Sequence, residues 1–268
     1  MKKTLSLLAV LAVAGVVNTP GQAATRYVSA MAGVNWLNDT NASATTDYVD
    51  YEPFSNKLLF DSGFTATAAV GCDYGTVRAE IEAGYQQGDF NIGGEDGYGP
   101  FQEYPDYDWA GFFFGSGKSN VYSLMLNGAV DIPVGGGVEL YAMAGVGVAQ
   151  VNLEATGGVP WEEGYYSGGY SYGEDSGVDD VSYKAHATTL AYQLGAGIAI
   201  PLSKGVKLDA RYRYFATTDF TITAPDHSFT DYNDYGYGYG SYESEYWTPQ
   251  ANMNVSSHSV LVGLRVDI

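Results

Sequence analysis

Residues Thr76 to Gln86 read TVRAEIEAGYQ. Val77, Ala79, Ile81, Ala83 and Tyr85 share one side of an extended chain, and Arg78, Glu80, Glu82, Gly84 and Gln86 share the other. Successive side chains of a β-strand point to opposite faces, so this segment is a strand between an apolar and a polar medium. A soluble barrel turns such charges out to water. A membrane barrel turns Val, Ile and Tyr to lipid and keeps the charges in its lumen.

The same alternation recurs along the chain. Tyr27 to Trp36 sets Val28, Ala30, Ala32, Val34 and Trp36 on one face. Phe64 to Cys72 sets out Phe64, Ala66, Ala68 and Val70, and Asp73-Tyr74-Gly75 turns it tightly into the opening segment. Val121 to Asp131, Val138 to Val151, Thr188 to Ile200, Val206 to Ala216 and Ser257 to Ile268 follow the pattern. Pro133 with Gly135 to Gly137, and Pro201 to Gly205, mark two more short turns. The total is eight strands of about 9 to 11 residues, enough to cross a bilayer when tilted.

Connections are long after the first, third, fifth and seventh strands and short after the second, fourth and sixth. The stretches about 37–63, 87–119, 152–187 (with GYYSGGYSYGED) and 217–256 (with DYGYGYGSYESEYW) read as the four long loops, and the Trp109 to Phe114 end of the second is a candidate strand extension. Outer-membrane barrels show this asymmetry, with short periplasmic turns and long extracellular loops. Charge placement points the same way. Arg at the lipid-facing midplane costs about 2–4 kcal/mol, so the face carrying Arg78, Arg211, Arg213 and Arg265 belongs to the lumen. The fold class is therefore all-β, an eight-stranded antiparallel up-and-down transmembrane barrel with four long extracellular loops.

In a ring of eight, the third and seventh strands stand opposite each other, and both rise from the short-turn end. Glu80 and Glu82 thus reach the depth of Arg211 and Arg213. The expectation is an interior ion-pair network of structural character, with Arg78 and Asp209 at its lower edge.

Composition narrows the function. The chain has 268 residues, among them 35 Gly and 24 Tyr, with 31 acidic against 12 basic residues for a net charge of −19. Gly is poor in helices, and aromatic residues favour pleated sheet. So acidic a chain does not grip nucleic acid, which requires Lys and Arg on phosphates. Residues 1–23, MKKTLSLLAVLAVAGVVNTPGQA, have two Lys, a short apolar core and a small-residue end. They read as a cleaved secretory signal peptide, leaving 24–268 as the barrel domain. Cys72 is the only cysteine and is expected to be inert. The three histidines show no metal-ligand spacing, and no cofactor is expected. His227-Ser228 and His258-Ser259 are poor hydrolase candidates, because neighbours on a strand point to opposite faces.

The segments GFTATAAVGCDYGTVRAEIEAGYQ, YSLMLNGAVDIP, ELYAMAGVGVAQ, AYQLGAGIAIPLSKGVKLDARYRYF and HSVLVGLRVDI resemble the small eight-stranded outer-membrane barrels of the opacity-protein and surface-antigen family, related in architecture to the OmpA barrel. The resemblance runs from about Gly63 to the end and stops at the loops. It implies a cell outer-membrane location, surface-exposed loops and no catalytic residues to carry over; an OmpA-type periplasmic domain is not expected, since the sequence stops at the eighth strand. Val260, Val262, Leu264, Val266 and Ile268 form the last strand, which the barrel-assembly machinery reads in such proteins. Family members usually close on an aromatic residue, whereas this chain closes on Ile268.

The partners expected are outer-membrane lipid and lipopolysaccharide, the assembly machinery, and a surface ligand for the loops. Those loops combine Tyr, Trp, Ser and Gly, the residues of adaptable binding surfaces, with many carboxylates such as Asp47, Glu95, Glu162, Asp180 and Glu243. The role read from this is structural or surface-interacting, adhesin-like. Alternatives are a narrow cation-preferring, porin-like channel and, more weakly, a lipid-modifying enzyme.

Overall fold

The computed structural model describes residues 24–45, 54–92, 114–167, 170–223 and 250–268. Twelve strands are present among them: β1 Thr25–Leu37, β2 Thr40–Thr45, β3 Phe54–Phe60, β4 Ser62–Asp73, β5 Val77–Ile92, β6 Phe114–Gly135, β7 Val138–Ser167, β8 Tyr170–Ser203, β9 Val206–Thr217, β10 Phe220–Thr223, β11 Gln250–Met253 and β12 Ser256–Asp267. Eight of them close a ring in the order β5-β4-β1-β12-β9-β8-β7-β6 and back to β5, every pairing antiparallel. These are the eight alternating segments. Residues 1–23, read as a signal peptide, lie outside the described residues.

Three tight turns join β4 to β5, β6 to β7 and β8 to β9 at one end. Gly75, Gly135, Gly136, Gly137 and Gly205 sit there with φ between 63° and 104°, a region that excludes most side chains. The apolar face looks outward: Val34, Leu126, Val146, Leu194 and Val262 are all half-exposed or more. From Tyr122 to Ile132, at about 3.3 Å per residue and about 40° of tilt, β6 rises about 25 Å, the height of an outer-membrane apolar band. Toward the long connections the band ends in a girdle of Trp36, Phe64, Tyr85, Tyr122, Tyr192, Tyr214 and His258. Toward the turns its edge is aliphatic: Val77, Ile132, Leu140, Ile200 and Leu202.

Above the girdle the two halves of the wall differ. On one side β5, β6, β7 and β8 run on without interruption. The stretch 152–187, expected as a loop, is instead a continuous hairpin paired up to Ser167 and Tyr170. On the other side β4, β1, β12 and β9 all stop at one level and resume as β3, β2, β11 and β10 in the same lateral order. The breaks fall at Asn38-Asp39, Asp61, Thr218-Asp219 and Asn254-Val255. Each contains an Asn or Asp, whose short polar side chain competes with the ladder for backbone partners. Asp39 Oδ1 accepts from the Phe60 amide at 3.1 Å, and the Asn254 side chain donates to Asp219 at 2.9 Å. Of the second long connection, residues up to Ile92 and from Phe114 are strand. The Trp109 to Phe113 part of the expected extension, and the acidic residues of 46–53, 93–113 and 224–249, lie outside the described residues.

Candidate functional site: a two-storey lumen

The interior has two layers. The lower one, next to the turns, is charged. Arg78 on β5 donates from Nε to Asp131 Oδ2 of β6 at 2.7 Å, and its guanidinium lies 4.7 Å from the centre of the Tyr141 ring of β7. The Tyr141 hydroxyl donates to Asp209 Oδ1 of β9 at 2.5 Å. Arg78 and Asp209, expected at the lower edge, do stand there, but their partners are Asp131 and Tyr141. Tyr27 of β1 donates to Glu80 Oε2 at 2.7 Å.

One step up, Arg211 of β9 reaches across the ring. Its Nη1 donates to Glu82 Oε2 at 2.5 Å, its Nη2 lies 3.6 Å from Glu80 Oε1, and its Nε donates to the Tyr141 hydroxyl at 3.1 Å. Arg213 Nη1 lies 3.8 Å from Glu82 Oε1, while its Nη2 donates to Thr65 at 2.9 Å. The amides of Asn127 and Gln193 complete the carboxylates at 3.1 and 3.0 Å. At the rim Glu139 takes Lys207 at 2.5 Å and Arg265 at 2.7 Å. The fully buried cations Arg78, Arg211, Arg213 and Arg265 are matched in number by Glu80, Glu82, Asp131 and Asp209. The chain as a whole is strongly acidic, but this deep layer is neutral.

Two of the lumen tyrosines lie over glycines. Tyr27 faces Gly71 in register, and Tyr141 faces Gly197. A Cβ at Gly71 would stand 2.6 Å from the Tyr27 ring and hydroxyl. The missing side chains therefore make room for the rings that carry the hydrogen bonds to Glu80 and Asp209.

The upper storey is apolar. Leu37, Leu58, Phe90, Val121, Met125, Ala149, Val151, Ala191, Phe215, Phe220, Ile222, Met253 and Val255 form one buried cluster. The Arg213 guanidinium, 5.7 Å from the centre of the Phe215 ring, marks the boundary between layers. Sequence reasoning missed this storey. Its residues come from six of the ring strands and from the extensions β3, β10 and β11, and their alternation within any one strand is unremarkable.

Among the described residues no group of three His, Cys, Asp or Glu is placed to hold a metal. His258 faces outward, with Nδ1 2.6 Å from the Tyr212 hydroxyl, while Ser259 is buried in the lumen. His227 and Ser228 lie outside the described residues. Cys72 is a buried free thiol. Val260, Val262 and Leu264 of β12 face lipid; Val266 lies below them, and Ile268 follows the strand at the turn end, its amide donating to the Arg26 carbonyl at 2.8 Å.

A closed ring of eight antiparallel strands, an apolar outer band, lumenal charges and short turns confined to one end define the class: a β-barrel of the outer membrane. The chain belongs to the family described as outer membrane protein beta-barrel domain, which it matches over residues 6–266. Its location is the cell outer membrane.

Similar solved structures include Neisserial surface protein A, at 16% identity, covering 91% of this chain and 97% of that one with a TM-score of 0.40. The outer membrane protein OprG from Pseudomonas aeruginosa is 12% identical, with 94% and 99% covered and a TM-score of 0.49. Ail, the attachment invasion locus protein of Yersinia pestis, is 13% identical, with 90% and 99% covered and a TM-score of 0.30. Among curated protein sequences nothing matches.

Proposed function

We propose that the protein is a filled, non-conducting and non-enzymatic barrel whose work is done at the cell surface, where it presents its long connections to outside partners in a structural or adhesin-like role. The observation that carries this reading is the apolar storey. Leu37, Phe90, Val121, Val151 and Phe215 pack together across the lumen directly above the ion-pair layer, and an ion crossing there would lose its hydration without gaining a polar partner. Below it, cations and carboxylates are equal in number and interleaved, as in the Arg78–Asp131 and Arg211–Glu82 pairs, which is unlike the single-sign lining of a selective pore.

The extracellular connections suit a recognition role. The β7–β8 hairpin projects well beyond the girdle, and its tip, like the connections after β2, β5 and β10, is rich in Tyr, Asp and Glu. Such composition combines aromatic contact area with hydrogen-bonding flexibility.

The test is conductance of the refolded protein in a planar bilayer, after its altered gel mobility when unheated confirms folding, with Glu82→Gln alongside. A silent barrel in both forms is the expected result. Discrete steps that shift with Glu82→Gln would replace this reading with that of a cation-preferring channel gated by the lumen network. Changes in lipid acyl chains in cells carrying the protein would replace it with an enzymatic one.

A further inference from the structure

The uninterrupted half of the wall carries a polar panel on its outer surface, directly above the aromatic girdle. Cross-strand register sorts it into rows. Tyr85, Tyr122, Gln150 and Thr188 lie side by side at girdle level; the next row outward is Gln87, Asn120, Asn152 and His186; and the next is Asp89, Lys118, Glu154 and Lys184. Concavities of about 350 and 580 Å³ share Glu154 and Lys184 as lining residues and run over this surface. The Tyr85 hydroxyl lies 2.8 Å from Asn120 Oδ1, Asn152 Nδ2 donates to the Asn120 carbonyl at 3.5 Å, and Lys184 holds Glu154 at 3.1 Å. The side chains are thus arranged against one another on the sheet, with Lys184 still largely open to the outside.

We propose that this panel binds the phosphorylated saccharide headgroup of lipopolysaccharide in the outer leaflet. Three observations favour that occupant. First, the panel faces sideways from the barrel and begins at the girdle, so the molecules beside it are the headgroups of the surrounding lipid. Second, its chemistry is that of saccharide recognition: an aromatic face at Tyr122 followed by a row of amides and an imidazole, which donate to and accept from hydroxyls. Third, cations are scarce beyond the girdle. In the whole chain on that side only Lys57, Lys118 and Lys184 are basic, and two of the three stand on one row of this panel, separated only by Glu154. The two ammonium groups offer charge-assisted bonds to a phosphate that can displace Glu154 from Lys184. On the other half of the wall the strands are interrupted at this height, at Asn38-Asp39, Asp61, Thr218-Asp219 and Asn254-Val255.

The test uses the full refolded protein in detergent micelles, titrated with purified rough lipopolysaccharide and, separately, with the same material after phosphate removal and with phosphatidylglycerol. Binding is read by native mass spectrometry. Intact lipopolysaccharide is expected to bind more tightly than either comparison lipid, and Lys118→Gln with Lys184→Gln is expected to weaken it about tenfold or more. Lys57→Gln, on the other half of the wall, should leave it unchanged. Equal affinity for all three lipids, or no loss in the double variant, would overturn the proposal. Should the double variant not fold, acetylation of the wild type with and without lipopolysaccharide decides. Selective protection of Lys118 and Lys184 over Lys57 is expected, and equal labelling overturns the site.

Discussion

Glu82 on β5 and Arg211 on β9 meet at 2.5 Å across the lumen, joining two strands that stand four places apart in the ring. The wall hydrogen bonds join only neighbours, so this contact and those around it brace the barrel across its diameter. Arg211→Met should therefore cost about 3–5 kcal/mol, because it leaves Glu80 and Glu82 buried without their main cation. Adding Glu82→Gln to it should cost less than the two single changes summed, since it removes one of those stranded charges. Urea unfolding of the refolded protein in lipid vesicles measures both; strictly additive losses would mean that the pair is not coupled.

The tyrosine-over-glycine arrangement predicts a local steric effect. Gly71→Ala should destabilise by about 1–3 kcal/mol, because the added carbon meets the Tyr27 ring and pushes its hydroxyl from Glu80. Gly128→Ala is the control, since a Cβ there would have no atom within 4 Å. Heat-induced loss of the fast-migrating gel band should come at a lower temperature for the first variant and be nearly unchanged for the second.

Depth in the membrane predicts a gradient along the outer face. Leu126→Arg, in the middle of the apolar band, should cost about 2–4 kcal/mol, whereas Gln150→Arg, beside Tyr122 at the girdle, should cost about 0–1 kcal/mol. Folding free energies into vesicles report the difference. Equal costs would place the lipid boundary elsewhere.

Trp36 gives an optical check on the same boundary. With Trp109, Trp161 and Trp247 replaced by Phe, the remaining indole should fluoresce from the interface. Lipids brominated near the headgroup should quench it more strongly than lipids brominated near the chain ends; the reverse order would move the girdle into the bilayer centre.

Much of this architecture was legible because a strand's side chains alternate with a period of two. Once Arg78, Glu80 and Glu82 were assigned to one face, the outward position of Val77, Ile81 and Tyr85 followed. The same rule assigned Arg211 and Arg213 to the lumen opposite them. Pairing within the lumen was less legible, since it depends on the stagger between strands far apart in sequence. Asp131 and Tyr141 were the missed partners of Arg78 and Asp209, although both lie on lumen faces close to a short turn.

The upper region was hidden for another reason. β2, β3, β10 and β11 have only 6, 7, 4 and 4 residues, too few to display a period. The long hairpin of β7 and β8 was obscured by its Gly and Tyr content, which also suits loops. The apolar storey is assembled from single residues of many strands, such as Leu37, Phe90 and Phe215. No one stretch announces it.

The broken half of the wall has a mechanical consequence. A pull on the outer end of β7 or β8 passes along one continuous strand to the periplasmic turns, as through a rod. A pull on β2, β3, β10 or β11 reaches Asn38-Asp39, Asp61, Thr218-Asp219 and Asn254-Val255 first, where the ladder is interrupted. Load on the exterior is thus carried by one side of the tube and yields at a joint on the other, so the exposed part tilts toward its jointed side while the transmembrane girth stays constant.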